Sequence, residues 1–163
     1  MMKYSVMKRR KEGITNYHKR LTLLKSGIPR LVVRPSNKGI SAQVVEFDVK
    51  GDKVKCTVNE RSLKKLGLEV DGNSVPVSYL VGFAVGLIAK KKKIKSVILD
   101  TGRYNIIKGG RISAVLNGFV DSGVKIPHDK SVFPGKDRLK GEHLKKPIGK
   151  NLEEFKKQLE EKL

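Results

Sequence analysis

The chain has little of what staples or metallates a small fold. Its one cysteine, Cys56, has no partner for an intramolecular disulfide, and His18, His128 and His143 are too scattered for a metal-ligand cluster. A reducing, intracellular setting without structural zinc or any cofactor is expected. No apolar stretch follows the basic residues near Met1, so a secretory leader is not expected. The longest apolar run, Val75 to Ala89, falls short of the ~20 residues that cross a bilayer. Burial in a soluble core is expected of it, with no membrane as partner, although Gly82 and Gly86 share the small-xxx-small spacing of packed membrane helices.

Acidic side chains are scarce too. The 163 residues hold 16 Asp and Glu against 36 Lys and Arg, a formal net charge of +20. The excess gathers near the N-terminus, in Lys8-Arg9-Arg10-Lys11 and His18-Lys19-Arg20, and Glu12 is the only acid before Arg34. Such a field seeks a polyanion, because neutralising phosphates releases their condensed counterions. Tyr4 and Tyr17 lie among these cations, a mixture suited to RNA, whose unstacked bases lie on side-chain planes. The alternative is an incidental, solvated charge run, and for Tyr17 a place in packing.

A length of 163 residues with 38% hydrophobic residues suits one globular core. Residues 1–13 read as an extended or disordered arm until a polyanion orders them. Thr15 is a candidate cap for a short helix closing at Gly27, with Ile14, Tyr17, Leu21 and Leu24 as its apolar stripe. Three β-branched strands follow, at 30–34, 40–47 and 53–58, separated by the turn sequences Asn37-Lys38-Gly39 and Lys50-Gly51-Asp52. In the third, Val54, Cys56 and Val58 alternate with Lys53, Lys55 and Thr57, which predicts one buried face. Asn59 caps a short helix, the break at Gly72-Asn73 follows, and a longer helix starts after Ser74 and ends at Lys90 to Lys93. Val97-Ile98-Leu99 is a short strand, reached by a parallel crossover. Residues 111–122 form the clearest amphipathic helix, 127–149 an extended wrap containing Pro127, Pro134 and Pro147, and 151–163 a terminal helix. The expected fold is α/β: a mixed four-stranded sheet in β-β-β-α-β-α order, preceded by a basic helical N-terminal arm. The expected divisions are 1–29 as RNA-binding arm and helix, 30–126 as α/β domain, and 127–163 as wrap and terminal helix.

Two further constellations suit phosphates. Arg34, Ser36, Asn37 and Lys38 cluster at a hairpin turn, where a cation and short polar side chains hold phosphates or riboses, or simply make the turn. Arg30, which opens the same strand, is a further surface cation expected to touch RNA. Lys108-Gly109-Gly110-Arg111 starts the amphipathic helix, where free amides and two cations converge. No Gly-x-x-x-x-Gly-Lys-Ser/Thr loop exists, no second histidine completes a zinc-protease motif around Glu142-His143, and the first strand offers no acid to join Asp100. Asp100 is read as a turn or cap residue. The chain is not expected to be an enzyme, and a metal-dependent RNA nuclease of ribonuclease-H-like fold is the alternative.

Ordered motifs then carry a resemblance. Tyr17-His18-Lys19-Arg20-Leu21, Leu23-Leu24-Lys25-Ser26-Gly27, Pro29-Arg30-Leu31-Val32-Val33-Arg34 and Ser36-Asn37-Lys38 are followed by Tyr79-Leu80-Val81-Gly82, Ile98-Leu99-Asp100 and Gly123-Val124-Lys125-Ile126-Pro127-His128. Together they resemble the archaeal-type large-subunit ribosomal protein L-eighteen family, whose eukaryotic relatives are large-subunit protein five. The resemblance implies a non-enzymatic ribosomal protein, located in the cytoplasm within the ribosome. It also implies binding to 5S rRNA, attachment to large-subunit rRNA in the central protuberance, and neighbouring large-subunit proteins including the L-five family. The implied fold is the ribonuclease-H-like type of translational components. The implied RNA contacts are Lys8 to Lys11, the polar side of the first helix and the Arg34 to Lys38 turn. Gly39 departs from the family, standing where relatives often carry a histidine.

Overall fold

The computed structural model describes residues 6–67, 73–142, 144 and 152–163. Tyr4, Gly72, His143, Pro147 and Asn151, all used above, lie outside the described residues. Strands β1 (Arg30–Pro35), β2 (Ile40–Glu46) and β3 (Lys53–Asn59) form an antiparallel meander, with Arg30 opposite Val45 and Ser41 opposite Asn59. Strand β4 (Ile98–Asp100) lies parallel to β1, giving the order β3-β2-β1-β4. The sheet is therefore mixed and four-stranded, as expected. The third strand departs from strict alternation: opposite Val44 and Val45 it carries an extra residue, because Val44 faces Cys56 while Val45 faces Val54. The slip turns Val54 outward, leaving it 54% exposed while Cys56 and Val58 stay buried.

Two helices cover one face of this sheet. Helix α4 (Val75–Lys91), with Pro76 in its first turn, is buried continuously from Val75 to Gly86, and helix α5 (Arg111–Asp121) packs along it. Their backbones touch. A Cβ at Gly82 would lie 2.1 Å from the Val115 carbonyl oxygen, and one at Gly118 would lie 2.1 Å from that of Tyr79. The small residues of the long apolar run thus serve helix–helix approach within the core, and no helix among the described residues is long and apolar enough to cross a membrane.

Smaller helices close the rim. Asn59 and Ser62 make the reciprocal bonds of a capping box at helix α3 (Glu60–Lys65), whereas Ser74 makes no side-chain cap at α4. The region read as an extended wrap contains a 3-10 turn at Lys130–Val132 and a short helix with Gly141 in the left-handed conformation at its end. That helix spans Lys136–Lys140, and the terminal helix spans Leu152–Lys162. The terminal helix buries Leu152 and Leu159, and places the Lys156 ammonium 4.7 Å from the Tyr79 ring centroid.

Candidate nucleic-acid interface

Side chains alternate across a strand, so Leu31 and Val33 of β1 face the helices while Arg30, Val32 and Arg34 face the other way. That second face is ionic. Arg30 donates through Nη1 to Asp100 Oδ2 and through Nη2 to Asp52 Oδ2, each at 2.7 Å. Arg34 donates to Asp100 Oδ1 at 3.2 Å and to the Asp100 carbonyl at 2.7 Å. The Gly102 amide donates to Asp100 Oδ1 at 2.8 Å, so the turn role read for Asp100 is present, but two arginines also depend on it. Burial is the strongest single influence on the Asp100 carboxyl and pushes it up. The Gly102 amide, the charge and hydrogen bond of Arg34 and the charge of Arg30 together outweigh burial, and hold it below the ordinary carboxylate value. Arg30, expected to touch RNA, is only 2% exposed and has its guanidinium engaged by two carboxylates. It organises the face from within.

The N-terminal segment packs over this ionic face. Lys8–Lys11, expected to be extended or disordered until a polyanion orders them, form a single helical turn, α1, with all four side chains exposed. Gly13, at φ +68°, then bends the chain. Helix α2 (Tyr17–Leu24) is capped by Asn16, which accepts from the Lys19 amide at 3.1 Å. Thr15, the expected cap, accepts instead from Arg9 Nε at 2.9 Å. No residue of α2 is buried: Leu21 is 55% exposed, Ile14 just before it 52%, and Tyr17 is half-buried. The apolar stripe is therefore not buried, and the sheet face beneath carries arginines. Polar bonds hold the helix instead, from Lys19 Nζ to Thr101 Oγ1 at 3.2 Å and the Gly102 carbonyl at 3.0 Å, and from Arg20 to Asp52 at 2.9 Å. His18 is exposed beside them.

The β1–β2 turn and the start of α5, distant in sequence, meet. Arg111 donates to the Ser36 carbonyl at 3.0 Å and to Asn73 Oδ1, and Asn73 donates to the Ser36 and Asn37 carbonyls. The Ser36 hydroxyl closes its own turn on Gly39, while Ser36, Asn37 and Lys38 stay exposed. At the glycine pair the amides are engaged: Gly109 is buried and donates to the Val132 carbonyl, and Gly110 donates to that of Ile107, both at 3.0 Å. Lys108 remains exposed.

Between α2 and the β4–α5 loop lies a cleft of about 400 Å³, whose lining includes Arg9, Lys19, Arg20, Arg34, Arg103 and Tyr104. Arg103 and Tyr104 escaped the sequence reading. The signal was present, a cation beside an aromatic residue just after a glycine, the same mixture that marks the arm.

Fold and site together define a basic α/β protein that gathers cations on one side of its sheet. The model of a family described as ribosomal large subunit proteins 60S L5 and 50S L18 matches residues 2–95. The large ribosomal subunit protein uL18 of Thermoplasma acidophilum is 47% identical over 159 residues, covering 96% of this chain and 97% of that protein. Its counterpart in Thermoplasma volcanium is 49% identical over 157 residues, covering 95% and 98%. That of Aeropyrum pernix is 42% identical over 139 residues, covering 85% of this chain and 65% of the relative. The chain belongs to this family of large-subunit ribosomal proteins, whose members are structural, non-enzymatic components. The nuclease alternative loses its anchor as well, since Asp100 is tied to Arg30 and Arg34.

Proposed function

We propose that this chain binds 5S rRNA and helps attach it to large-subunit rRNA in the central protuberance of the cytoplasmic ribosome, beside neighbouring large-subunit proteins including the L-five family. The observation that carries this reading is the cleft itself. Cations from the arm, α2, β1 and the β4–α5 loop surround one space, although they are scattered in sequence. Residues 1–29 act as the basic arm and helix, 30–126 as a ribonuclease-H-like α/β domain of the kind found among translational components, and 127–163 as a wrap and C-terminal helix.

In this reading the exposed Lys8, Arg9, Arg10, Lys11 and His18 supply attraction over distance, with Tyr17 beside them, and Lys19, Arg20 and Arg34 present charge already oriented by protein partners. Ser36, Asn37, Lys38, Lys108 and Arg111 form a second group around the hairpin turn. Phosphate contacts fix the register of the RNA, while unpaired bases and the shape of the RNA confer selectivity. Competition of 5S rRNA against transfer RNA for the full chain at physiological salt tests this. A clear preference for 5S rRNA is expected, and equal affinity would reduce the protein to a nonspecific polycation.

A further inference from the structure

Most cations of the cleft are already held. Arg9 donates to Thr15, Lys19 to Thr101 and Gly102, Arg20 to Asp52, and Arg34 to Asp100. Two side chains differ. Neither the Arg103 guanidinium nor the Tyr104 hydroxyl has a partner among the described residues. The Tyr104 side chain is nonetheless fixed at its base, because its amide donates to the Thr101 carbonyl at 3.2 Å and its carbonyl accepts from Thr101 Oγ1 at 2.8 Å. Arg103 lies against the backbone of Gly13, so closely that a Cβ there would come within 2.4 Å of Nη1. The bend at Gly13 therefore seats the arm against Arg103, which also lines a smaller neighbouring hollow of about 240 Å³ reaching to Tyr17 and His18.

Resting on the reading of the protein as a 5S rRNA binder, we propose that Arg103 and Tyr104 form a subsite for one unpaired nucleotide, its base stacked on the Tyr104 ring and its phosphate held by Arg103. The size fits, since small-ligand pockets begin at about 300 Å³ and this one measures about 400 Å³. The chemistry fits too. A phosphate alone needs cations but no aromatic plane, and inside a duplex each base face is covered by its neighbours and closed to the Tyr104 ring. An unstacked nucleotide offers both a face and a phosphate. Tyr104 is 48% exposed, enough to receive a base on one side of its ring.

Two measurements on the full chain test the subsite. In filter binding to 5S rRNA, Tyr104→Ala weakens affinity by roughly fivefold to a hundredfold, the range for loss of one base–aromatic stack. Tyr104→Phe retains wild-type affinity, because stacking requires the ring and not the hydroxyl, and unchanged circular dichroism shows that both variants fold. Wild-type affinity in Tyr104→Ala would overturn the subsite and leave 5S rRNA binding intact. Loss of 5S preference in the wild-type protein would instead overturn the wider reading. The second measurement is independent of that reading: a short single-stranded RNA carrying 5-bromouridine is photocrosslinked to the protein and the adduct mapped. An adduct at Tyr104 with the single strand, lost on annealing to its complement, is expected. An adduct equally abundant with the duplex, or none at Tyr104 with the single strand, would overturn the subsite.

Discussion

The two faces of the sheet are held by different forces. On one face, Leu31, Val33, Ala42 and Val44 meet α4 and α5 in an apolar core closed by backbone-to-backbone helix contact. On the other, Arg30, Arg34, Asp52 and Asp100 form an ionic layer to which α2 is fastened by Lys19 and Arg20. The first face tolerates little change in shape, because interiors pack as densely as organic crystals. The second keeps a helix in place while leaving Leu21 and the Lys8–Lys11 turn outside, available to a partner. The apolar core and the display of charge thus lie on opposite faces of the same four strands.

The largest effects should come where that separation is breached. Asp100→Ala leaves Arg30 charged and buried without one of its two carboxylates, and a loss of about 3–5 kcal/mol in urea unfolding is expected. Phe119→Ala, at a fully buried ring of α5, should cost a similar ~3–5 kcal/mol, but below the melting temperature it should leave RNA affinity unchanged. Asp100→Ala should weaken RNA binding as well, because Arg34 loses its orientation. Equal RNA affinity in the two variants would erase the distinction between the faces.

A smaller cost, about 1–3 kcal/mol, is expected of Gly118→Ala, whose methyl group would collide with the Tyr79 carbonyl. Acid sharpens the comparison further. The Asp100 carboxyl is held below its ordinary value, so its contribution to stability is complete above the unfolded-state value of about 3.9 and is lost as pH falls through the folded-state value. Thermal unfolding across that acidic range should show a steeper loss for the wild-type protein than for Asp100→Asn, which has no proton to gain. Parallel curves would contradict the assigned role. Least of all, Leu21→Ser on the exposed side of α2 should shift stability by no more than about 0.5 kcal/mol in the same urea assay.

Much of this was legible from residue order. The turns at Asn37-Lys38-Gly39 and Lys50-Gly51-Asp52, the cap at Asn59 and the buried run after Ser74 are local signals, and the structure places them close to where the sequence does. What failed depended on distant partners. The stripe Ile14, Tyr17, Leu21 and Leu24 has helical spacing, but spacing does not reveal that the opposing surface is made of arginine. Arg30 read as a surface cation because its two carboxylates, Asp52 and Asp100, lie 22 and 70 residues away in sequence. Val54 read as core because a bulge leaves no mark in alternation. Arg103 and Tyr104 join the interface only because β4 lies beside β1 and directs its following loop toward α2.

The charge of the Lys8–Lys11 turn, unlike that of Lys19, Arg20 and Arg34, lies outside the forces that hold the fold. This is tested most directly by combining Lys8→Gln, Arg9→Gln, Arg10→Gln and Lys11→Gln, and measuring 5S rRNA affinity across a salt series together with the melting temperature. An unchanged melting temperature is expected, with a log K against log salt slope shallower by about 3, from four lost cations at about 0.7–0.9 each. A slope equal to that of the wild-type protein, or a lowered melting temperature, would contradict it.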